Sequence, residues 1–117
     1  MYSYFQKHDN DIAFYEKKLA SRLPSRIIDA HVHLNLPEHV SNITAETIAG
    51  DWALECGLLM SMEDAKTYFS VLLPETKMEF VGLPWPLRDA DTVANNHYIR
   101  ELIHKEGLRG LFTPRPE

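Results

Sequence analysis

Two histidines one residue apart, His31 and His33, close the run Arg26-Ile27-Ile28-Asp29-Ala30-His31-Val32-His33-Leu34. In an extended strand, residues i and i+2 share a face and stand roughly 7 Å apart. Both imidazoles can then tilt toward one ion and bind it at about 2.0–2.1 Å, which is the chemistry of a divalent-metal site. Asp29, one step deeper on the same expected face, is positioned to receive a ring N–H or otherwise fix the pair. The 6 histidines of the chain give roughly 0.3 His-x-His triplets by chance, so spacing alone leaves open an ordinary polar strand end. Location narrows the choice. Ile27, Asp29, His31 and His33 form a face that turns from apolar to polar toward the strand's C-terminal end. Ile28, Ala30 and Val32 form the other face, small and apolar, suited to lie under helices. A barrel strand has that gradient when its lower part fills the core and its upper end carries a site.

Other residues make weaker cases. Trp85, just past the second strand, would line the same mouth and could touch substrate, although packing is the plainer role. Arg88 beside it could bind a substrate carboxylate, or be a solvated loop charge. His97 and His104 lie two turns apart on one helix and read as surface residues. His8 and His39 have no patterned neighbours, but His39 falls in the loop after the first strand and could approach the mouth. Asn95 and Asn96 read as packing residues, and Cys56 as a small core residue.

The elements that must hold these side chains follow from periodicity. Ile12, Tyr15, Leu19 and Leu23 make a helical stripe ended by Pro24. Arg26 to Leu34 is a strand, bounded by Pro24 and Pro37. A helix is expected from Thr44, its N-cap, to about Gly57, with Ala45, Ile48, Trp52 and Cys56 on one side. Ser61-Met62-Glu63-Asp64 is a capping box opening a helix with Met62, Ala65, Phe69, Leu72 and Leu73 inward and its stop at Pro74. These two helices, joined by Leu58 to Met60, form an expected αα-hairpin. Met78 to Leu83 is a second strand, closed by Pro84-Trp85-Pro86. Asp91 caps a helix with Ala94, Tyr98, Leu102 and Ile103 toward the core, ended by Gly107. Leu108 to Thr113 is a third strand. Strands alternating with helices imply right-handed crossovers and a parallel sheet. Three such strands with helices on one side need closure or a second cover, so the α/β reading is of part of a larger architecture: residues 1–25 as a leading helix and 26–117 as the first βα units.

Composition bounds the function. At 117 residues, 44% hydrophobic and 25% charged, the chain is one ordinary globular domain at most. Its 12 basic and 17 acidic residues give a net charge of -5, and Lys17-Lys18 is the sole adjacent basic pair. Neutralising phosphates takes clustered Lys and Arg, so neither nucleic acid nor an anionic membrane is an expected partner. One cysteine excludes an intrachain disulfide. No stretch approaches the ~18 apolar residues of a membrane span, and Met1 to Asp11 has no apolar h-region, so a cytoplasmic protein is expected.

The run Ile28-Asp29-Ala30-His31-Val32-His33-Leu34 resembles the first-strand motif of the amidohydrolase superfamily, most closely its amidohydrolase-related (amidohydrolase 2) branch. The likeness extends to Leu23-Pro24-Ser25-Arg26, Met60-Ser61-Met62-Glu63-Asp64, Leu83-Pro84-Trp85-Pro86, and Asp89-Ala90-Asp91 running into Ala94-Asn95-Asn96-His97-Tyr98. It covers nearly the whole chain and only the N-terminal third of the family's pattern. The resemblance implies the first strands of a TIM (β/α)8 barrel and a hydrolase, or a related decarboxylase, acting on a small molecule. It implies a divalent cofactor, Zn before Mn or Fe, with His31 and His33 as the first two metal ligands. The general base and remaining ligands are expected on later strands, outside this chain, so these residues alone are expected to be inactive. Two rivals stand beside that reading. One is a non-catalytic truncated barrel acting as a binding or self-associating module, since exposed strand edges need cover. The other is a small structural metal protein, which needs four ligands where spacing offers two.

Overall fold

Prolines, side-chain caps and one left-handed glycine cut the chain into its elements. A computed structural model describes residues 8–51 and 59–114. The first helix, α1 (Asp9–Phe14), runs into a wider turn over Tyr15–Leu19, where Tyr15 is buried. β1 (Arg26–His33) follows, then a short 3-10 turn at Pro37–Val40. Thr44 caps α2 (Ala45–Gly50) by accepting the Thr47 N–H at 3.2 Å. This helix stops earlier than its periodicity predicts: Asp51 is extended, with φ -127 and ψ 102. The remainder of the expected helix, with Trp52 and Cys56, lies outside the described residues, as does Leu58 of the expected hairpin.

The capping box forms as its sequence predicts. Ser61 Oγ accepts the Asp64 N–H at 3.0 Å, and Asp64 Oδ2 accepts the Ser61 N–H at 3.2 Å, opening α3 (Met62–Leu72). β2 (Lys77–Leu83) leads through Pro84-Trp85-Pro86 to α4 (Thr92–Glu106). Asp91 caps that helix through the Ala94 N–H at 2.9 Å, and Gly107 ends it with φ 68, where a side chain would be strained. β3 is short, Arg109–Gly110, and the Leu111 N–H continues the ladder to the Gly82 carbonyl at 2.9 Å.

The three strands form one parallel sheet in the order β1-β2-β3, so the chain is mixed α/β. Helices α3 and α4 supply Met62, Ala65, Ile99 and Leu102 to a core with Val32, Leu34, Phe80 and Leu108 from the strands and their flanks. The close approach of α4 needs glycine at position 110, where a Cβ would lie 2.6 Å from Ile99 Cγ2, while at Gly82 a Cβ would meet Leu34 Cδ1 at 2.8 Å and Leu108 Cδ2 at 2.9 Å. The α4 core stripe differs from its expected register. Thr92, Asn95, Ile99 and Leu102 are buried, while Tyr98 and Ile103 only pack against the core's margin. Asn95 masked the stripe because it is polar; its amide is satisfied inside.

Alternation in β1 also differs from expectation. Arg26 to Asp29 pair with Lys77 to Phe80 in step, but Val32 pairs with Gly82, so β1 advances three residues while β2 advances two. Ala30 and His31 therefore stand opposite Val81 alone, a β-bulge. The extra residue reverses the parity of the strand. Ile27 and Asp29 lie on the face of Met78 and Phe80, beneath the helices. Ile28 is 42% exposed on the opposite face, the face that carries the Arg26–Glu79 pair at 2.7 Å. Beyond the bulge, Val32 is core, and the histidines take the other face. The expected set of Ile27, Asp29, His31 and His33 on one face is thus split at the bulge.

Candidate metal centre

The bulge leaves His31 exposed and His33 half-buried at the C-terminal end of β1. Their rings meet edge-on, with centroids 4.9 Å apart at 67°, and their Nε2 atoms are 3.1 Å apart. Two metal–nitrogen bonds of about 2.0–2.1 Å enclosing an angle between 90° and the tetrahedral value separate their nitrogens by about 2.8–3.4 Å. The observed pair falls inside that span. Two imidazoles that shared one ion would show a separation of this size.

The second contact fixes which atom of His33 faces that point. His33 Nδ1 lies 3.1 Å from the Pro84 carbonyl oxygen. A carbonyl only accepts, so Nδ1 carries the proton and neutral Nε2 presents its lone pair toward His31. This is the arrangement in which a ligating histidine gives its other N–H to a backbone carbonyl, which sets tautomer and ring orientation. With His33 Nε2 as the acceptor, His31 Nε2–H is the donor of the 3.1 Å bond between the two rings. Burial pushes the His33 pKa below the usual histidine value, opposed by the Pro84 contact and reinforced by the neighbouring His31. A neutral ring is the form a metal requires.

Trp85 also arrives at the site. Its ring lies 5.0 Å from that of His33 at an interplanar angle of 32°, so it walls the histidine and limits its rotation. Arg88 sits exposed in the turn beyond, where its charge acts on Asp89. Asp29 does not reach a ring N–H. Its Oδ1 accepts the His31 backbone N–H at 3.0 Å.

Several polar residues anchor the surroundings. Asn95, 1% exposed, donates Nδ2–H to the Leu34 carbonyl at 2.7 Å, one residue past His33. Asn35 and Met60 exchange two bonds: the Asn35 N–H reaches the Met60 carbonyl at 2.9 Å, and the Met60 N–H reaches Asn35 Oδ1 at 3.0 Å. Asp89 accepts from the Thr44 hydroxyl at 3.0 Å and from Thr47, tying the loop after β1 to the loop after β2. Those two bonds hold its pKa below the usual carboxylate value, Thr47 contributing most. His39 is buried, not at the mouth. Its Nδ1 accepts the Leu36 N–H at 3.0 Å, its carbonyl accepts the Asp91 N–H at 2.8 Å, and its ring packs 5.6 Å from that of Tyr98. His97 bonds Arg100 at 2.8 Å on the exposed side of α4, and His104 is exposed.

Sequence does not reveal the Pro84 carbonyl or the buried amide of Asn35, whereas Asn95, expected as a packing residue, is buried as such. A main-chain acceptor leaves no trace in residue type. Asn95, by contrast, was detectable as the member of the 92, 95, 99, 102 helical series that breaks its polarity.

No group of three or more His, Cys, Asp or Glu side chains gathers as a metal cage among the described residues. None of their helices is long and apolar enough to cross a membrane. Compared with known proteins, the chain matches no family model, no curated protein and no solved structure.

Proposed function

We propose that these residues furnish the first-strand half of the metal centre of an amidohydrolase-related hydrolase, whose remaining ligands and general base come from other strands of a (β/α)8 barrel. The observation that carries the reading is the 3.1 Å convergence of the two Nε2 atoms, with His33 Nδ1 engaged by the Pro84 carbonyl. The resemblance of Asp29-Ala30-His31-Val32-His33 to the superfamily's first strand supports the reaction class. So does the position at the C-terminal end of parallel strands, where α/β enzymes carry their sites.

In this reading His31 and His33 bind the ion, the Pro84 carbonyl holds the His33 tautomer, and Trp85 shields one side of that ring from water. A bound divalent ion supplies Lewis acidity toward water and toward a substrate carbonyl. Trp85 is placed to meet a small-molecule substrate entering over His33, whereas Arg88 has the weaker claim. Zinc suits two imidazoles, and Mn or Fe share the ligand type.

Titrating the chain with Zn2+ by calorimetry, alongside His31→Ala and His33→Ala, tests the reading. One ion per chain is expected, with affinity falling at least roughly tenfold, or about 1.4 kcal/mol, in each variant. Equal binding by all three proteins would sink it. A self-associating module without catalysis is the second reading, favoured by Ile28 at 42%, Leu111 at 55% and Phe112 at 55% exposure. A discrete folded oligomer by light scattering, with no histidine-dependent metal binding, would favour it instead.

A further inference from the structure

The geometry points to Asp29 as a positioning residue that aims His31 at the shared ion by pinning the β1 bulge through a backbone amide, an inference that rests on the metal reading above. In a regular strand the Cα atoms of residues i and i+2 stand roughly 7 Å apart, and the side-chain torsions decide how closely their rings approach. Here the centroids are 4.9 Å apart and the planes cross at 67°. This close approach occurs at a register shift of the sheet, the extra residue between Asp29 and Val32. His31 belongs to that irregularity, whereas His33 is back in register opposite Leu83. His33 also has its own restraints in the Pro84 carbonyl and Trp85. The His31 ring is exposed and, among the described residues, meets His33 alone, so its direction depends on the backbone of the bulge.

Ala30 and His31 have no partner in the register with β2, and a bulge leaves its extra residue without ladder bonds. The Asp29 carboxylate supplies the missing acceptor: Oδ1 takes the His31 N–H at 3.0 Å, a local side-chain-to-backbone closure of the kind Asp and Asn make. Asp29 lies on the helix-side face with Phe80, away from the rings. Its effect on the ion is therefore carried by an acceptor oxygen at a backbone amide and not by negative charge at an imidazole. A carboxylate that oriented a ring N–H directly would need its charge to raise the basicity of the ligand. An oxygen that only closes the bulge can be replaced by an amide oxygen.

The two possibilities separate by substitution. Co2+ binding to the 117-residue chain is measured by its visible absorption for the wild type, Asp29→Ala, Asp29→Asn and His33→Ala, with unfolding midpoints of the metal-free proteins. The expected result is a loss of roughly 10- to 100-fold in Co2+ affinity for Asp29→Ala, the range for removing a supporting partner of a ligand. Asp29→Asn, which keeps the acceptor and drops the charge, is expected to remain within about threefold of wild type. Amide exchange at His31 should quicken in Asp29→Ala and not in Asp29→Asn. Wild-type affinity in Asp29→Ala overturns the inference, as does an Asp29→Asn chain with an unchanged unfolding midpoint that binds as weakly as Asp29→Ala. Should His33→Ala bind Co2+ as well as wild type, the metal reading falls and the inference with it. A His33-dependent site indifferent to Asp29 removes the inference alone.

Discussion

Replacing Asn95 with alanine strips the end of β1 of its tie to α4, and the cost can be worked from the contact itself. Asn95 is 1% exposed and donates to the Leu34 carbonyl at 2.7 Å in a fully buried bond. Alanine leaves that carbonyl without its donor where water does not replace it, which costs about 1–3 kcal/mol. The vacated amide volume adds to this. A total near 2 kcal/mol corresponds, with a urea m-value of about 1.5 kcal/mol/M, to a midpoint lower by roughly 1.3 M. The thermal midpoint should fall by about 8 °C. Urea unfolding followed by tryptophan fluorescence reads the change, with Asn95→Leu as the partner variant. Leucine refills the volume but still leaves the carbonyl unpaired, so it should lose nearly as much as alanine. A leucine variant as stable as wild type would refute the reasoning, because the loss would then belong to the cavity and not to the orphaned carbonyl. An alanine variant within about 0.2 M of wild type would show that α4 does not hold the strand end at all.

Two further perturbations test the frame of the site. His39 is buried with its Nδ1 accepting from the Leu36 N–H, and burial lowers its pKa below 6.5 despite the opposing charges of Glu38 and Asp91. The unfolded chain therefore binds more protons than the folded one in the window just below 6.5, so the His39 contribution to stability is complete above 6.5 and is lost as pH falls through the folded pKa. His33, with its own lowered pKa, adds to the same slope. Asn at position 39 keeps an acceptor and cannot titrate, so the slope of unfolding free energy against pH should flatten in His39→Asn; an unchanged slope would exclude His39 as a source. Gly110→Ala puts a Cβ within 2.6 Å of Ile99 Cγ2 and 2.8 Å of Ile103 Cδ1, and overpacking of this kind costs about 1–3 kcal/mol. Chemical denaturation should register that loss, and a neutral outcome would mean that α4 can move off β3 freely.

Much of the scaffold was legible because its determinants are local. Thr44, Ser61 with Asp64, and Asp91 each satisfy helix N–H groups within three residues of themselves, and Gly107 ends α4 by its own backbone freedom. Pro24, Pro74 and Pro84 lie at element boundaries for equally local reasons. A two-residue period carried β1 and β2, and the strand–helix alternation fixed a parallel sheet. His31 and His33 stood out by type and spacing, and their place at the end of a strand pattern narrowed what such a pair could be. What the sequence could not decide was every feature set by a second strand or helix. Parity along β1 follows the side chains only while the strand keeps step with its neighbour, and the extra residue at Ala30 and His31 is visible only against Val81 of β2. That one slip moved Asp29 to the helix-covered face and exchanged its expected ring contact for a backbone one. The Pro84 carbonyl became the partner of His33 because parallel pairing brings the end of β2 beside the end of β1. Asn95 became core because the Leu34 carbonyl was there to accept its amide. Residue type and spacing singled out His31 and His33, and the approach of distant backbone determined how their two nitrogens meet.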